Sequence, residues 1–562
     1  LASPRYGERW GRHWLDVARY AEDHPTSEST CPAPRFAYRY RDWVIRAFNE
    51  DLPYDEFVRR QLAADRYDLP PSEIAALGFL GLSPVYHKEP KLSAEVITTI
   101  VADEWDERLD AITRGFLGLT VACARCHDHK FDPIRTEDYY ALAGILASTQ
   151  LVEWPLESTA PQTAAELTEV QWQLIDAQLR FDYAKRQRDT AKQQKQELAA
   201  FEAAVVTTEA EVKRLKAYQL YAGPIANAVR DAGLWINGAD PTWTYLDYRA
   251  SQGRDLPVFV RGNPLRPGAM VPRRFLEVLS TTGANPFATT GSGRRELAES
   301  IVRDAAPLTA RVFVNRVWSW QFGQGLVRTP SNFGRLGDAP SHPELLEDLA
   351  NRFVAKDWSI KRLQRELVTS SVWRQEATTS ADIVAKDSDN RWLTRAPRRR
   401  LEPEAWRDSV LTLVDQLDRS PGGPSKKLDD KDFHRRTVYA TVSRQKQADL
   451  FKLFDFPDPK QHAELRLPTT TPLQQLYLLN SPFLQNSAEE AARIVAARSS
   501  TSAEPVVRSL FERLLLRVPT DEELSDATSL ISSDGWPTDG DERHRRASLL
   551  AVSYTHLRAH ET

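Results

Sequence analysis

Two of the three cysteines in this 562-residue chain stand three positions apart and are followed at once by a histidine: Cys123-Ala124-Arg125-Cys126-His127. Thiols at this spacing can add to the two vinyl groups of a porphyrin, and the histidine that follows lands beneath the iron. The pattern points to a covalently attached haem c, with Cys123 and Cys126 as thioether anchors and His127 as the proximal iron ligand. Two other chemistries compete for the same residues. A structural zinc ion takes about four ligands, and Cys31 is the only further cysteine, so zinc would need His129 or His24. A Cys-x-x-Cys redox couple normally opens a helix in a βαβ context, and no such alternation surrounds Cys123.

For the second axial position the sequence offers His342, His24 and His87, each close to a proline and read as loop residues. His129 is too near His127 to reach the opposite haem face. Met270, the only methionine, sits in a Pro-Gly-Ala-Met-Val-Pro stretch read as a loop of a different segment. An iron with an open position would favour catalysis over simple electron transfer. Glu22-Asp23-His24 and Asp103-Glu104-Trp105-Asp106-Glu107 could bind a cation or work as acid and base, but such runs are more often solvated helix ends. The arginines of 395–400 could hold an anion through bidentate hydrogen bonds; the run is too short for a nucleic-acid face. Tyr38-Arg39-Tyr40-Arg41-Asp42-Trp43 reads first as a helix packed into a core. Glycine-rich phosphate loops, Gly-x-Ser-x-Gly and His-Glu-x-x-His are absent from the sequence.

These residues need a scaffold, and the composition supplies one. Apolar residues make up 41% and charged residues 27%, with 15 Trp and 17 Tyr, which suits a folded chain of more than one domain. A net charge of −4 gives no electrostatic case for nucleic acid. No apolar run approaches the roughly 18 residues of a membrane span. The fold class expected is mainly α. Residues 1–150 read as a helical haem domain, with helices over Tyr6–Ala21, Tyr38–Asn49, Asp55–Asp65 and Asp103–Leu119, and another opening at Thr136. Residues 162–222 lack Gly and Pro, and Leu167, Val170, Leu174, Ala177, Phe181 and Ala184 alternate spacings of 3 and 4. That predicts a coiled coil or helical hairpin folding back near Thr207-Thr208. Residues 223–290 read as a β-containing connector, with strands at Trp243–Leu246 and Val258–Val260, and 291–551 as a second helical domain. The chain opens inside a helix, and residues 552–562 resemble a translated sequencing adapter, so it reads as a fragment at both ends.

Several stretches together resemble the planctomycete cytochrome C domain-containing proteins. In the N-terminal half these are Glu8 to Asp16, Tyr38 to Val44 and, most tellingly, Gly118 to Ile134, which holds the cysteines. In the C-terminal half they are Leu308 to Trp318, Gly323 to Gly325, Thr329 to Gly334, Pro340 to Leu346, Phe454 to Asp458 and Leu478 to Phe483. The resemblance spans most of residues 5–535 and implies two domains of unknown function in sequence. It implies a periplasmic, cell-surface or secreted protein whose relatives carry a signal peptide and a further cytochrome c module. A redox partner or that module as partner, and an oxidative role on complex carbohydrate, follow from the same resemblance. The leading expectation is an exported haem c electron-transfer protein or oxidoreductase. The alternative is a non-enzymatic exported binding or scaffold protein with structural haem or none.

Overall fold

The computed structural model describes residues 1–26, 31, 33–157, 163–217, 223–240, 243–281, 283, 285–288, 290–496, 502–532, 535, 537, 539, 541–542 and 545–548. The adapter-like residues 552–562 lie outside the described residues. As the periodicity predicts, the chain is mainly α. It divides into two compact units: Leu1–Pro397 with Val442–Gln445 and Asp458–Glu464, and Arg398–Thr441 with Lys446–Pro457 and Leu465–Thr562.

The first unit opens with α1 (Tyr6–Val17), α2 (Tyr38–Asn49), α3 (Tyr54–Ala63), the short α4 (Gly78–Gly81), α5 (Ala94–Ile112) and α6 (Thr136–Ala147). Helix α2 has the bounds read from sequence. Helix α1 stops four residues before Ala21, because Arg19 turns left-handed at φ 55°. Helix α5 starts nine residues before Asp103, where the Ser93 hydroxyl accepts the Val96 N–H at 3.4 Å and caps the first turn. Trp14 is fully buried at the centre of this group, edge-on to Phe57 at 5.1 Å and beside Phe116 at 5.5 Å. Its indole N–H donates to Gln61 at 2.7 Å, so the one polar atom of the ring is satisfied inside the core.

Strands β1 (Thr149–Pro155), β2 (Ile225–Asp240) and β3 (Trp243–Ala250) form an antiparallel sheet in that order, with Thr149 opposite Asp231 and Asn237 opposite Tyr245. Between β1 and β2 runs a helical hairpin of α7 (Ala164–Gln193) and α8 (Ala199–Lys216). Its seam is in part the predicted one: Ala177 and Ala184 are buried, and Leu174 and Phe181 pack with Val212 and Leu215, whereas Leu167 packs instead with Ile225 of β2 and Phe36. The reversal, however, falls at 194–198, not at Thr207-Thr208. Both threonines sit inside α8, where their hydroxyls bond back to the carbonyls of Ala203 and Ala204. The chain turns instead where the stripe becomes polar, at a left-handed Lys195.

A second hairpin, β4 (Leu256–Phe259) and β5 (Pro267–Val271), precedes α9 (Arg294–Val302), α10 (Ala306–Phe322), α11 (Pro343–Ala355), α12 (Ile360–Thr369), α13 (Ser371–Arg374) and α14 (Ala381–Lys386). Tyr54 of α3 stacks on Phe313 of α10, with Phe313 in turn stacked on Phe353 of α11 at 5.7 Å. The early helices and α10–α11 thus share one core. A buried ion cluster ties them again: Arg294 grips Asp65 at 2.8 and 2.7 Å and Asp231 at 2.7 Å. Burial opposes that charge, and the two carboxylates overcome it and hold the guanidinium above its usual range.

Two later segments complete the unit. Arg444 donates to the carbonyls of Asp23, Arg19 and Leu82 at 2.6, 2.8 and 2.9 Å. His462 shares a hydrogen bond with the Ser331 hydroxyl at 2.6 Å. The second unit consists of α15 (Pro403–Leu413), α16 (Asp449–Leu453), α17 (Pro472–Asn480), α18 (Pro482–Ala496), α19 (Ala503–Leu515) and α20 (Asp521–Ile531). Ala488, Ala491, Val507, Leu510 and Phe511 build its core, and Arg466 meets Glu404 bidentately at 2.7 and 2.8 Å.

Arg294→Met strands two buried carboxylates and should cost about 3–5 kcal/mol, read as a lower urea midpoint for the first unit. A loss below about 1 kcal/mol, the size of an exposed pair, would show the cluster is not a lock. The buried histidines set an acid limit. Burial, then Arg444, Lys88 and Arg108, lower the His24 pKa to about 3; burial, then Arg316, Arg114 and Arg19, lower His462 to about 2. Both stay neutral in the fold and gain a proton on unfolding. Their stabilisation is therefore whole above the unfolded value near 6.5 and is lost as pH falls from there toward about 3. The slope grows as pH falls from about 6.5 and below about pH 5.5 reaches about 1.4 kcal/mol per pH unit for each histidine, and His24→Asn should flatten it in denaturation curves.

Candidate functional site

Helix α5 does not run straight into the cysteines. Its last residues pass into a π turn, Thr113–Leu117, and Gly118 then takes a left-handed φ of 60°. A side chain there would meet Val312 at 2.9 Å and Phe333 at 3.0 Å, so both conformation and space call for glycine. The chain next forms a 3-10 turn, Val121–Arg125, with Cys126 as its cap. Residues three apart eclipse in such a turn. Val121 and Ala124 face inward, both fully buried, while Cys123 and Cys126 share the outer face as free, exposed thiols.

His127 is exposed beside them. Its Nδ1 lies 2.7 Å from the carbonyl oxygen of Asp128. A carbonyl can only accept, so Nδ1 carries the proton and Nε2 keeps its lone pair. That is the tautomer of an imidazole ready to ligate iron through Nε2. His129 is used differently. Its Nδ1 accepts the backbone N–H of Asp132 at 2.9 Å, which places its proton on Nε2, 3.0 Å from the Thr120 hydroxyl. Buried with both nitrogens engaged, it fixes the loop and offers no ligand atom. Asp128 accepts the Thr136 N–H at 2.9 Å at the start of α6, and Asp132 accepts the Arg335 N–H at 2.7 Å.

Of the two residues between the thiols, Arg125 anchors the turn. Arg125 pairs with Asp103 at 2.7 Å and lies 3.8 Å from Asp106, both on α5, and the Tyr140 hydroxyl donates to its carbonyl at 2.9 Å. Burial raises the pKa of Asp106, with Asp110 and Asp103 adding to it against the Tyr139 hydrogen bond and Arg125. The acidic run is therefore no solvated helix end. It lies within α5, and each carboxylate is engaged: Glu104 with Lys88 and Arg108, Glu107 with Arg19 and the Tyr86 hydroxyl. Asp103, Asp106 and Glu107 line an open cavity of about 440 Å³ with Tyr86, Ile100 and Arg125.

The structure thus gathers Cys123, Cys126 and His127 on one surface turn. It forms no hydrogen bond or ion pair between that turn and His24, His87 or His342. His24 is 8% exposed and lies within reach of Arg444, Lys88 and Arg108; His87 is half-buried; His342 precedes α11 and contacts Ser341 at 3.0 Å. Met270 is on strand β5, opposite Pro257, and not in a loop; it is exposed. Among the described residues, no three His, Cys, Asp or Glu side chains gather as a metal site. The 395–400 arginines do not converge on one anion site: Arg395 donates to the carbonyls of Asp387 and Ser388, while Arg400 bonds Thr469 and Gln474. Arg41 is buried against Asp42 in α2, as the packed-helix reading expects. Sequence reasoning missed the supports of the turn. Arg125 was visible between the cysteines, but nothing local showed that Asp103 and Tyr140 hold it.

Cys123, Cys126 and His127, two exposed thiols and an exposed imidazole on one turn, are the residues that would hold a covalent haem. Comparison with known proteins bears on the chain around it. Residues 1–151 match the family described as PSCyt2, protein of unknown function (DUF1549), and residues 293–531 match PSD1, protein of unknown function (DUF1553). No curated protein and no solved structure matches the chain. Both matches fall in the order that the sequence motifs follow, and together they cover the cysteine turn, its α5 support and the helices α10 and α11 that complete the first core. The chain belongs to the planctomycete cytochrome C domain-containing proteins, through their PSCyt2 and PSD1 domain pair.

Proposed function

We propose that this protein is an exported c-type haem protein that transfers electrons or acts as an oxidoreductase, in a setting of extracellular polysaccharide breakdown. One observation carries the reading: two free, exposed thiols three residues apart stand beside an exposed imidazole whose Nδ1 bonds the Asp128 carbonyl and leaves the Nε2 lone pair free. When bound, the haem supplies one-electron exchange at its iron. The protein's part is to present Cys123 and Cys126 on the same face, to hold the His127 tautomer, and to keep the turn rigid through Arg125 and His129. Rigidity matters because a ligand set must be held to within about 0.5 Å of its working geometry. The partner would be a redox protein or a cytochrome c module. Among the described residues, no helix is long and apolar enough to cross a membrane. His24, sealed beside three cations, is disfavoured as the second axial ligand, which leaves His342 and His87 as candidates.

The test is production with an export leader in a host that matures c-type cytochromes. The wild-type chain should keep its haem after denaturing electrophoresis and show a reduced haem spectrum. Cys123→Ala/Cys126→Ala should lose the covalent haem entirely, and His127→Ala should retain attachment with an altered iron spectrum. A wild-type chain without covalent haem would sink the proposal.

A further inference from the structure

We propose that Gly262 is a positioning residue for thioether formation at Cys126, an inference that rests on covalent haem attachment at this turn. Gly262 is remote in sequence and closes the β4–β5 hairpin, in a stretch whose composition suggests only a connector. The hairpin reverses through two successive left-handed residues, Arg261 at φ 57° and Gly262 at φ 72°, and the Val260 N–H bonds to the Arg266 carbonyl at 2.9 Å. Tyr140 of α6 ties it to the cysteine turn. Its ring meets Phe259 edge-on at 5.1 Å, and its hydroxyl lies 2.9 Å from the Arg125 carbonyl and 3.3 Å from that of Phe259. The hairpin tip consequently rests on Cys126: a Cβ at residue 262 would lie 2.6 Å from Cys126 Sγ and 3.6 Å from Arg125 Cγ.

That first distance is far inside the roughly 3.5–4.0 Å at which non-bonded heavy atoms are at ease. The bond to be made leaves little tolerance. The thiol adds across a vinyl C=C: Sγ bonds one vinyl carbon, the thiol hydrogen ends on the other, and nothing is oxidised or expelled. Sγ must point at that carbon while the Cys123 thioether and the His127 ring fix the porphyrin. Only a glycine hydrogen at residue 262 leaves Sγ where the turn puts it. A larger group would displace the sulfur, and with it the direction from which Sγ would meet a vinyl carbon. Among the described residues, no glycine has Cys123 among the nearest atoms such a Cβ would meet, so the two thioethers should respond differently to substitution of Gly262.

Two variants separate bulk from backbone strain. Gly262→Ala adds a Cβ at a left-handed position, and Gly262→Asn adds one on a residue that tolerates that backbone. Each is matured with haem alongside the wild type, then denatured, alkylated, digested and weighed by mass spectrometry. The wild-type peptide should carry haem on both cysteines. Both variants should carry haem on Cys123 alone in most molecules, with Cys126 alkylated. Two thioethers in either variant overturn the inference. A second measurement needs no variant: in the folded, haem-free wild type, a bulky maleimide should label Cys126 more slowly than Cys123. Equal rates overturn the inference too. A wild type that takes up no haem refutes the haem reading itself, while the difference in labelling still reports whether the hairpin restrains Cys126.

Discussion

The 3-10 turn pushes two thiols and an imidazole into solvent, while Arg125, one of the two residues between the thiols, is pulled the other way. Arg125 reaches back to Asp103 and Asp106 on α5 while its carbonyl is held by Tyr140 on α6. A single arginine thereby joins the helix before the turn to the helix after it. Without that tie, the side chains the five-residue turn itself buries are Val121 and Ala124, small groups with little surface to bury. The ion pair is half-shielded: Arg125 keeps 19% of its side chain exposed and Asp103 keeps 51%. Its value lies less in net stability, which such pairs seldom supply, than in direction. A guanidinium fork has a fixed geometry and so fixes the turn that carries it.

Around this tie the loop is closed by groups that in sequence looked like ligands. His129, Asp128 and Asp132 follow the cysteines so closely that they suggest a metal-binding string. Each instead satisfies backbone donors: His129 those of Phe131 and Asp132, Asp128 that of Thr136, and Asp132 that of Arg335. An irregular loop cannot pair its own N–H groups as a helix does, and a buried unpaired donor is costly. These side chains do that work and leave His127 as the one imidazole of the segment turned outward.

The features legible in the sequence were the periodic ones. Helix α2 and most of the α7–α8 seam follow from spacing, because burial on one face repeats at a fixed interval. What was illegible came from contacts between distant residues. Strands β1 and β2 lack strong turn signals, and their pairing depends on a partner some eighty positions away, as in the Gln150–Arg230 match. The reversal of the helical hairpin was misplaced because threonines weaken helix propensity in isolation, yet here bond back to the preceding turn and stay helical. Gly262 reads only as a turn residue. That its missing side chain makes room for a sulfur more than a hundred residues earlier is a fact of packing, and no window on the sequence contains it.

The first unit is not a continuous stretch of chain. It is finished by Val442–Gln445 and Asp458–Glu464, which bring Arg444 to the carbonyls of Asp23, Arg19 and Leu82 and His462 to Ser331. During synthesis, residues near the N-terminus must therefore wait for partners more than four hundred positions later. Contacts of such long sequence separation are closed slowly and leave apolar surface uncovered meanwhile. The helical hairpin α7–α8, whose contacts are local, can form as soon as it emerges, whereas the first unit cannot be complete until residues 442–464 have been made. The cysteine turn emerges early as well, and the Gly262 hairpin and Arg335 that pack on it follow by more than a hundred residues, so the thiols meet their surroundings before those supports arrive.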